Sequence, residues 1–166
     1  DGFGGGYGKE HVLAIMKDSR VGTYGTIGLL FMLLSKFFAL SAMPPEQIPA
    51  VLVSAHAISR LSPVFLLYTS SHVGHQDTSK SKPVGKKSSL FSLAMAMVFG
   101  LAPLCLLFPW KYIPLVLVAE ILLVFFFRRY AHKILGGYTG DVLGALQQLS
   151  ELCCLLVLLV LFTHLP

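Results

Sequence analysis

The chain has 166 residues, 55% of them apolar and only 13% charged, with a mean hydropathy of +0.73. Eight acids and thirteen Lys/Arg cannot coat a water-soluble surface of this size, which excludes an ordinary soluble enzyme and a disordered region. The formal charge of +5 would suit a nucleic-acid module, but the placement of the bases along the chain has a different cause.

Residues 8–18 predict a helix lying on a membrane surface, with Val12, Leu13, Ile15 and Met16 as its apolar stripe and Lys9, Glu10 and Lys17 elsewhere. A membrane-crossing helix needs roughly 20 mostly apolar residues. Five stretches qualify, at about 22–43, 47–68, 89–108, 112–127 and 141–162. The fourth is short and is expected to continue through Arg128 and Arg129, whose side chains can snorkel to the headgroups. Cys105, Cys153 and Cys154 sit inside apolar runs and read as small apolar side chains rather than metal ligands. The predicted fold is therefore an all-α, polytopic membrane helix bundle of about five transmembrane helices plus a short N-terminal surface helix. It forms one transmembrane domain over 1–166. The absence of an initial Met reads it as the C-terminal part of a longer protein.

The connections alternate in charge. Ten Lys/Arg fall in the N-terminal segment, the 70–89 loop and the link before the last span; Lys111 alone falls in the opposite set, and Lys36 and Arg60 lie within spans. The positive-inside rule places the N-terminus of this chain in the cytoplasm and its C-terminus outside. The loop is rich in Ser and Lys; its His72, His75 and Asp77 match no zinc spacing.

Three polar clusters share the predicted cytoplasmic side. The first is the run from Asp1 to Gly6, where glycines let backbone N–H groups approach an anion and a carboxylate stands beside them. A flexible terminus would look the same. The second runs from Lys17 to Gly25. There Arg20 offers a planar fork for phosphate, Lys17 a point charge, and Asp18 either a metal ligand or an orienter of Arg20. The bland reading is a capping turn at the membrane edge. The third runs from Leu135 to Asp141, with Gly144 and Glu151 beyond it. Asp141 stands at the positive end of the last helix, and Glu151 lies about 15 Å deeper on nearly the same face. Asp141 as a simple cap, and Glu151 as partner of Lys36 or Arg60, is the plainer alternative. Lys36 and Arg60 are expected to face the bundle interior, pairing with Glu151 or Glu120 or flooring an anion site. Acids, glycines and bases together suit a Mg²⁺-dependent reaction at phosphate, and an anion transporter would need much the same set.

The three clusters, in this order, resemble the cobalamin synthase family, the adenosylcobinamide-GDP ribazoletransferases. The strings that carry the resemblance are Asp1-Gly2, the run Ile15 to Gly25 with its Asp-Ser-Arg, and the run Leu135 to Ala145 reading Leu-Gly-Gly-Tyr-Thr-Gly-Asp-Val-Leu-Gly-Ala. Lys36, Ser59-Arg60 and Glu151 lie between and beyond them. The resemblance implies a Mg²⁺-dependent transferase of the bacterial or archaeal cytoplasmic (inner) membrane. It would join adenosylcobinamide-GDP to α-ribazole or its 5′-phosphate, giving adenosylcobalamin or its 5′-phosphate and GMP. It implies these two substrates and the lipid bilayer as partners, no nucleic acid, and is compatible with a homo-oligomer. By position it makes Asp18, Arg20 and Asp141 catalytic candidates. Lys17, Arg60, Lys133, Gly136, Gly137, Thr139, Gly140 and Glu151 become substrate-binding candidates, and Asp1, Asp18 and Asp141 metal candidates.

Two departures from the family pattern stand out. Of a longer acidic run resembling Asp-Gly-x-Ala-Asp-x-x-Asp-Gly, only the last Asp-Gly is present, as Asp1-Gly2, so the full-length protein is expected to be active and this chain alone inactive. A family acid near position 148 is Gln148 here, leaving Glu151 alone. A CDP-alcohol phosphotransferase of phospholipid synthesis is the main competing class, but the Ala-Arg and Asp-x-x-x-Asp elements it requires after Asp1-Gly2 are missing.

Overall fold

The computed structural model describes residues 1–18, 20–73 and 89–164. They fold as seven α-helices: α1 (Gly2–Gly5), α2 (Lys9–Lys17), α3 (Thr23–Ser41), α4 (Ile48–Thr69), α5 (Leu90–Leu107), α6 (Ile113–Leu135) and α7 (Gly140–His164). No β-strand occurs among the described residues, and the chain is an all-α membrane helix bundle.

Turn chemistry sets the helix ends. A single 3₁₀ turn at Pro45–Gln47 reverses the chain after α3, and Pro49 and Pro114 occupy the first turns of α4 and α6, where a missing N–H costs nothing. The Ser89 hydroxyl accepts from the Ser92 N–H and caps α5. Gly136, at φ +79, ends α6 in the left-handed conformation, with His132 and Lys133 in the last turn facing the negative end of the dipole. Pro63 and Pro103 lie inside α4 and α5, as membrane helices tolerate.

Among the described residues, four helices are long and apolar enough to cross a membrane: α3, α4 with its preceding turn, α5 and α7. The expected fifth span, α6, has 23 residues, a length of about 35 Å. Glu120 near its middle and Arg128 and Arg129 toward its end set it apart in composition from the other four. α7 is the central helix, packing on α3, α4 and α6, whereas α5 rests almost wholly on α4. One buried cluster, including Val51, Ile58, Leu104, Val116, Leu155 and Leu158, holds the end of the bundle that contains the α3–α4 and α5–α6 turns. A second, with Val12, Leu66, Ala131, Leu135, Tyr138, Val142 and Leu146, holds the other end and ties α2 onto it. Outward faces carry exposed Phe31, Leu33 and Phe37 on α3 and Val98, Phe99 and Leu106 on α5, an apolar exterior that hydrocarbon rather than water solvates.

The N-terminal run is more ordered than its glycines suggest. Residues Gly2–Gly5 form a helical turn laid against α2, and a Cβ added at Gly2 or Gly6 would run into Met16 or Val12. Part of the glycine content therefore serves close helix packing. Residues 74–88, with His75 and Asp77, lie outside the described residues. The start of that loop is ordered: Ser71 and Val73 exchange backbone hydrogen bonds with Tyr138 in a short parallel bridge.

Candidate functional site

The second buried cluster does more than stabilise. Because α2 packs against the α6–α7 turn, the three polar clusters of the sequence meet at one end of the bundle. Phe3 stacks edge-on against Tyr130 at 5.2 Å between ring centroids. The Thr139 hydroxyl lies 3.7 Å from the Met16 sulfur. The Lys9 ammonium reaches the α6–α7 turn, 3.8 Å from where a Cβ on Gly136 would sit.

Asp1 crosses to the head of α3. Its two carboxylate oxygens accept from the Gly22 and Gly25 N–H groups, each at 2.7 Å. These are orphan donors at a helix N-terminus, where an anion is favoured. A Cβ on Gly22 or Gly25 would fall on the carboxylate, so both glycines are needed for this approach. Asp18 turns to its own neighbour: Arg20 donates from Nε and Nη2 to the Asp18 carboxylate, the shorter contact being 2.7 Å, and its backbone N–H adds a third bond. The guanidinium, and then the backbone N–H, hold the Asp18 carboxyl below the usual aspartate range, and Asp18 in turn raises Arg20. Arg20 itself is almost fully exposed, so this pair is a surface feature of small energetic worth that orients the fork.

The third cluster divides by role. Gly137 is buried where the backbone of 71–73 passes, and a side chain there would collide with the Ser71 carbonyl oxygen and Val73. Tyr138 is buried beneath the His72 ring, and burial raises its hydroxyl pKa. Gly136 and Gly137, expected to cradle substrate, thus first build the turn that carries Thr139 and Gly140. The Thr139 hydroxyl accepts from the Val142 N–H at 3.4 Å and caps α7. Gly140 and Asp141 are exposed at the start of α7, and Asp141 has no polar partner among the described residues. Lys17 and Lys133 are exposed at the same end.

Beneath this surface lies a partly buried polar network. Lys36 on α3 reaches α7, donating to Gln148 Oε1 at 2.7 Å and pairing with Glu151 at 3.1 Å. His56 of α4 approaches the other Glu151 oxygen at 3.6 Å. Gln148 and Glu151 therefore serve one ammonium together. Arg60 departs from expectation: it is exposed on α4 and pairs with neither Glu151 nor Glu120 among the described residues. Arg60 lies one turn beyond His56 on α4, yet of the two only His56 reaches Glu151 on α7. Glu120 is instead held by serines, accepting from Ser150 at 2.6 Å and Ser62 at 3.5 Å.

Sequence reasoning missed Lys9 at the turn, the Ser62–Ser150–Glu120 set and Arg128, which donates to the Thr69 carbonyl and Ser70 Oγ. Their signal was weak: serines in apolar runs and bases at a span end are common in any membrane helix.

Asp1 spends both oxygens on backbone N–H groups and Asp18 is taken by Arg20. No group of three or more His, Cys, Asp or Glu positioned to hold a metal occurs among the described residues. Asp141 alone of the three aspartates has no polar partner among the described residues.

The fold and this end together define a polytopic membrane protein that gathers bases, helix N-termini and the exposed acids Glu10 and Asp141, neither with a polar partner among the described residues, at one membrane edge. Residues 1–159 match the family model described as cobalamin-5-phosphate synthase, and the chain belongs to that family. Curated relatives named adenosylcobinamide-GDP ribazoletransferase include those of Shewanella pealeana, 39% identical over 97% of this chain, and of Vibrio cholerae serotype O1, 38% identical over 99%. The relative from Shewanella frigidimarina is 43% identical over 96% of the chain. The chain spans 63% of the length of the first two and 62% of the third. No solved structure matches it.

Proposed function

We propose that the protein to which this chain belongs is a membrane-embedded adenosylcobinamide-GDP ribazoletransferase, acting in a late step of cobalamin biosynthesis. The observation that carries the reading is the packing of α2 onto the α6–α7 turn, which brings the family's two longest matching strings to one end of the bundle. In the proposed reaction, a hydroxyl of α-ribazole, or of its 5′-phosphate, attacks the cobinamide-linked phosphorus and GMP departs. Charge grows on the phosphoryl oxygens, so fixed positive groups lower the barrier. Lys9, Lys17, Arg20 and Lys133 supply such charge at this edge, and the α7 N-terminus adds its dipole behind Thr139 and Gly140. Asp18 orients Arg20. Asp141, exposed and unpartnered, is the acid we assign to the reacting groups. Lys36, Gln148 and Glu151 fix α3 to α7 below them and position the site without touching substrate.

A magnesium requirement is proposed from the resemblance, and the acids described here do not complete a site for it. We propose the bacterial or archaeal cytoplasmic membrane as location, with the α2 end facing the cytoplasm, where most bases lie.

The test uses the full-length protein in membranes supplied with adenosylcobinamide-GDP, α-ribazole 5′-phosphate and Mg²⁺. GMP and cobalamin phosphate are followed by mass, and loss of both with EDTA supports the metal requirement. Asp141→Asn and Arg20→Gln should each cut turnover by roughly 100-fold or more while the protein still inserts. Wild-type turnover in either removes that residue, and release of CMP from a CDP-alcohol instead moves the protein to the phospholipid class.

A further inference from the structure

Consecutive helices α5 and α6 do not close on each other, because α5 lies on α4 while α6 is drawn to α7. Between them runs a cleft of about 360 Å³, floored by α4. Its walls are mainly apolar, with Leu61 and Phe65 from α4, Leu93 and Met97 from α5, and Ile121 and Val124 from α6, while the serine-held Glu120 and Ser62 also line it. Along α6 the lining extends from Leu117 to Arg128, about 16 Å of helix. That is close to the hydrocarbon depth of one leaflet, half of roughly 30 Å.

The mouth of this cleft is basic. Phe125 and Arg128 also line a second, open cleft of about 460 Å³ with Arg129, His132 and Lys133. Arg128 is braced by the Thr69 carbonyl and Ser70 Oγ, and His132 by Ser70 Oγ at 2.8 Å. None of these bases has an acidic partner among the described residues. An apolar slot one leaflet deep, opening under uncompensated positive charge where α6 leaves the hydrocarbon, has the shape and polarity of a phospholipid.

We propose that the α4–α5–α6 cleft binds one anionic phospholipid, an acyl chain between α5 and α6 and the phosphate at Arg128 and Arg129. This site is independent of the transferase reading. It lies on the outward face of α6, and its deep wall is membrane-facing, which a water-soluble phosphate compound cannot occupy.

The test is native mass spectrometry of the full-length protein taken from vesicles of phosphatidylcholine and phosphatidylglycerol into mild detergent. The wild type should retain one phosphatidylglycerol per chain. Leu93→Trp, or Met97→Trp should the first fail to fold, fills the slot and should abolish retention of both lipids. Arg128→Gln with Arg129→Gln keeps the slot, and the preference for phosphatidylglycerol should fall by roughly 30-fold. Excess pyrophosphate should not displace the lipid. Retention unchanged by both tryptophan variants, a headgroup preference untouched by the double Gln variant, displacement by pyrophosphate, or a second copy of the chain filling the cleft each overturns the proposal.

Discussion

Asp1 illustrates how one carboxylate can serve a role that its sequence context does not announce. Beside a run of glycines it reads as an anion-loop acid or a metal ligand; in the fold it caps a membrane-spanning helix across 21 positions of sequence. Capping oxygens of this kind are worth about 1 kcal/mol. Asp1→Ala in the full-length protein should therefore lower stability by about that amount in a detergent thermal melt. Gly25→Ala should do the same by displacing the carboxylate. Combined, the two should cost little more than either alone, because they remove one interaction; full additivity would show that the cap is not shared. The Asp18–Arg20 pair makes a different prediction. The folded carboxyl titrates below the ordinary aspartate value, so the pairing is intact above that value and is lost as pH falls through the lowered pKa. Replacing Arg20 by Gln should move the Asp18 midpoint upward, read by carboxyl carbon NMR in micelles. An unmoved midpoint would mean that the fork does not rest on Asp18.

Among the elements, α3 is the most loosely held, since nearly all of its faces are exposed and it packs chiefly on α7. Lys36 is its polar anchor, buried to the same degree as Glu151. Removing one member of such a pair strands a charge, at a cost of about 3–5 kcal/mol, whereas removing both often costs little. Glu151→Leu should accordingly destabilise the bundle strongly, and Lys36→Met in the same protein should recover most of the loss. A double variant as unstable as the single one would show that the pair is not what joins α3 to α7. The α6–α7 turn is the opposite case, over-determined by Gly136, by the close passage of Ser71 over Gly137 and by the buried Tyr138. Rigidity there suits a turn asked to present Thr139 and Asp141 in fixed positions.

On the scale of the whole molecule, five long helices alternate direction, so Ser71 and the α6–α7 turn lie at one end and Ser41 and Trp110 at the other. Single cysteines at Ser71 and at Ser41, in a protein with Cys105, Cys153 and Cys154 replaced by Ala, test the proposed orientation. An impermeant maleimide applied to intact cells should label the Ser41→Cys protein and not the Ser71→Cys protein. The reverse pattern would invert the assigned topology and put the polar end outside.

Much of this architecture is written in local composition. Spans, caps and surface helix follow from hydrophobic length, from prolines in first turns and from Gly136, because each depends on residues within a turn or two of one another. The membrane location follows from the same source: 55% apolar residues with 13% charged have no other solvent. The three polar clusters and the strings of the family resemblance were equally legible, since they are contiguous. Partner choice was not. That Lys36 meets Gln148 and Glu151 while Arg60 faces outward, that serines bond one oxygen of Glu120, and that Asp1 reaches Gly22 and Gly25 all depend on helix rotation and on which helices touch. A charge within an apolar run has the same hydropathy whichever way its helix turns. Only the packing of α7 against α3, α4 and α6 decides the direction, and with it which acids are committed to structure and which, like Asp141, stay exposed at a helix start.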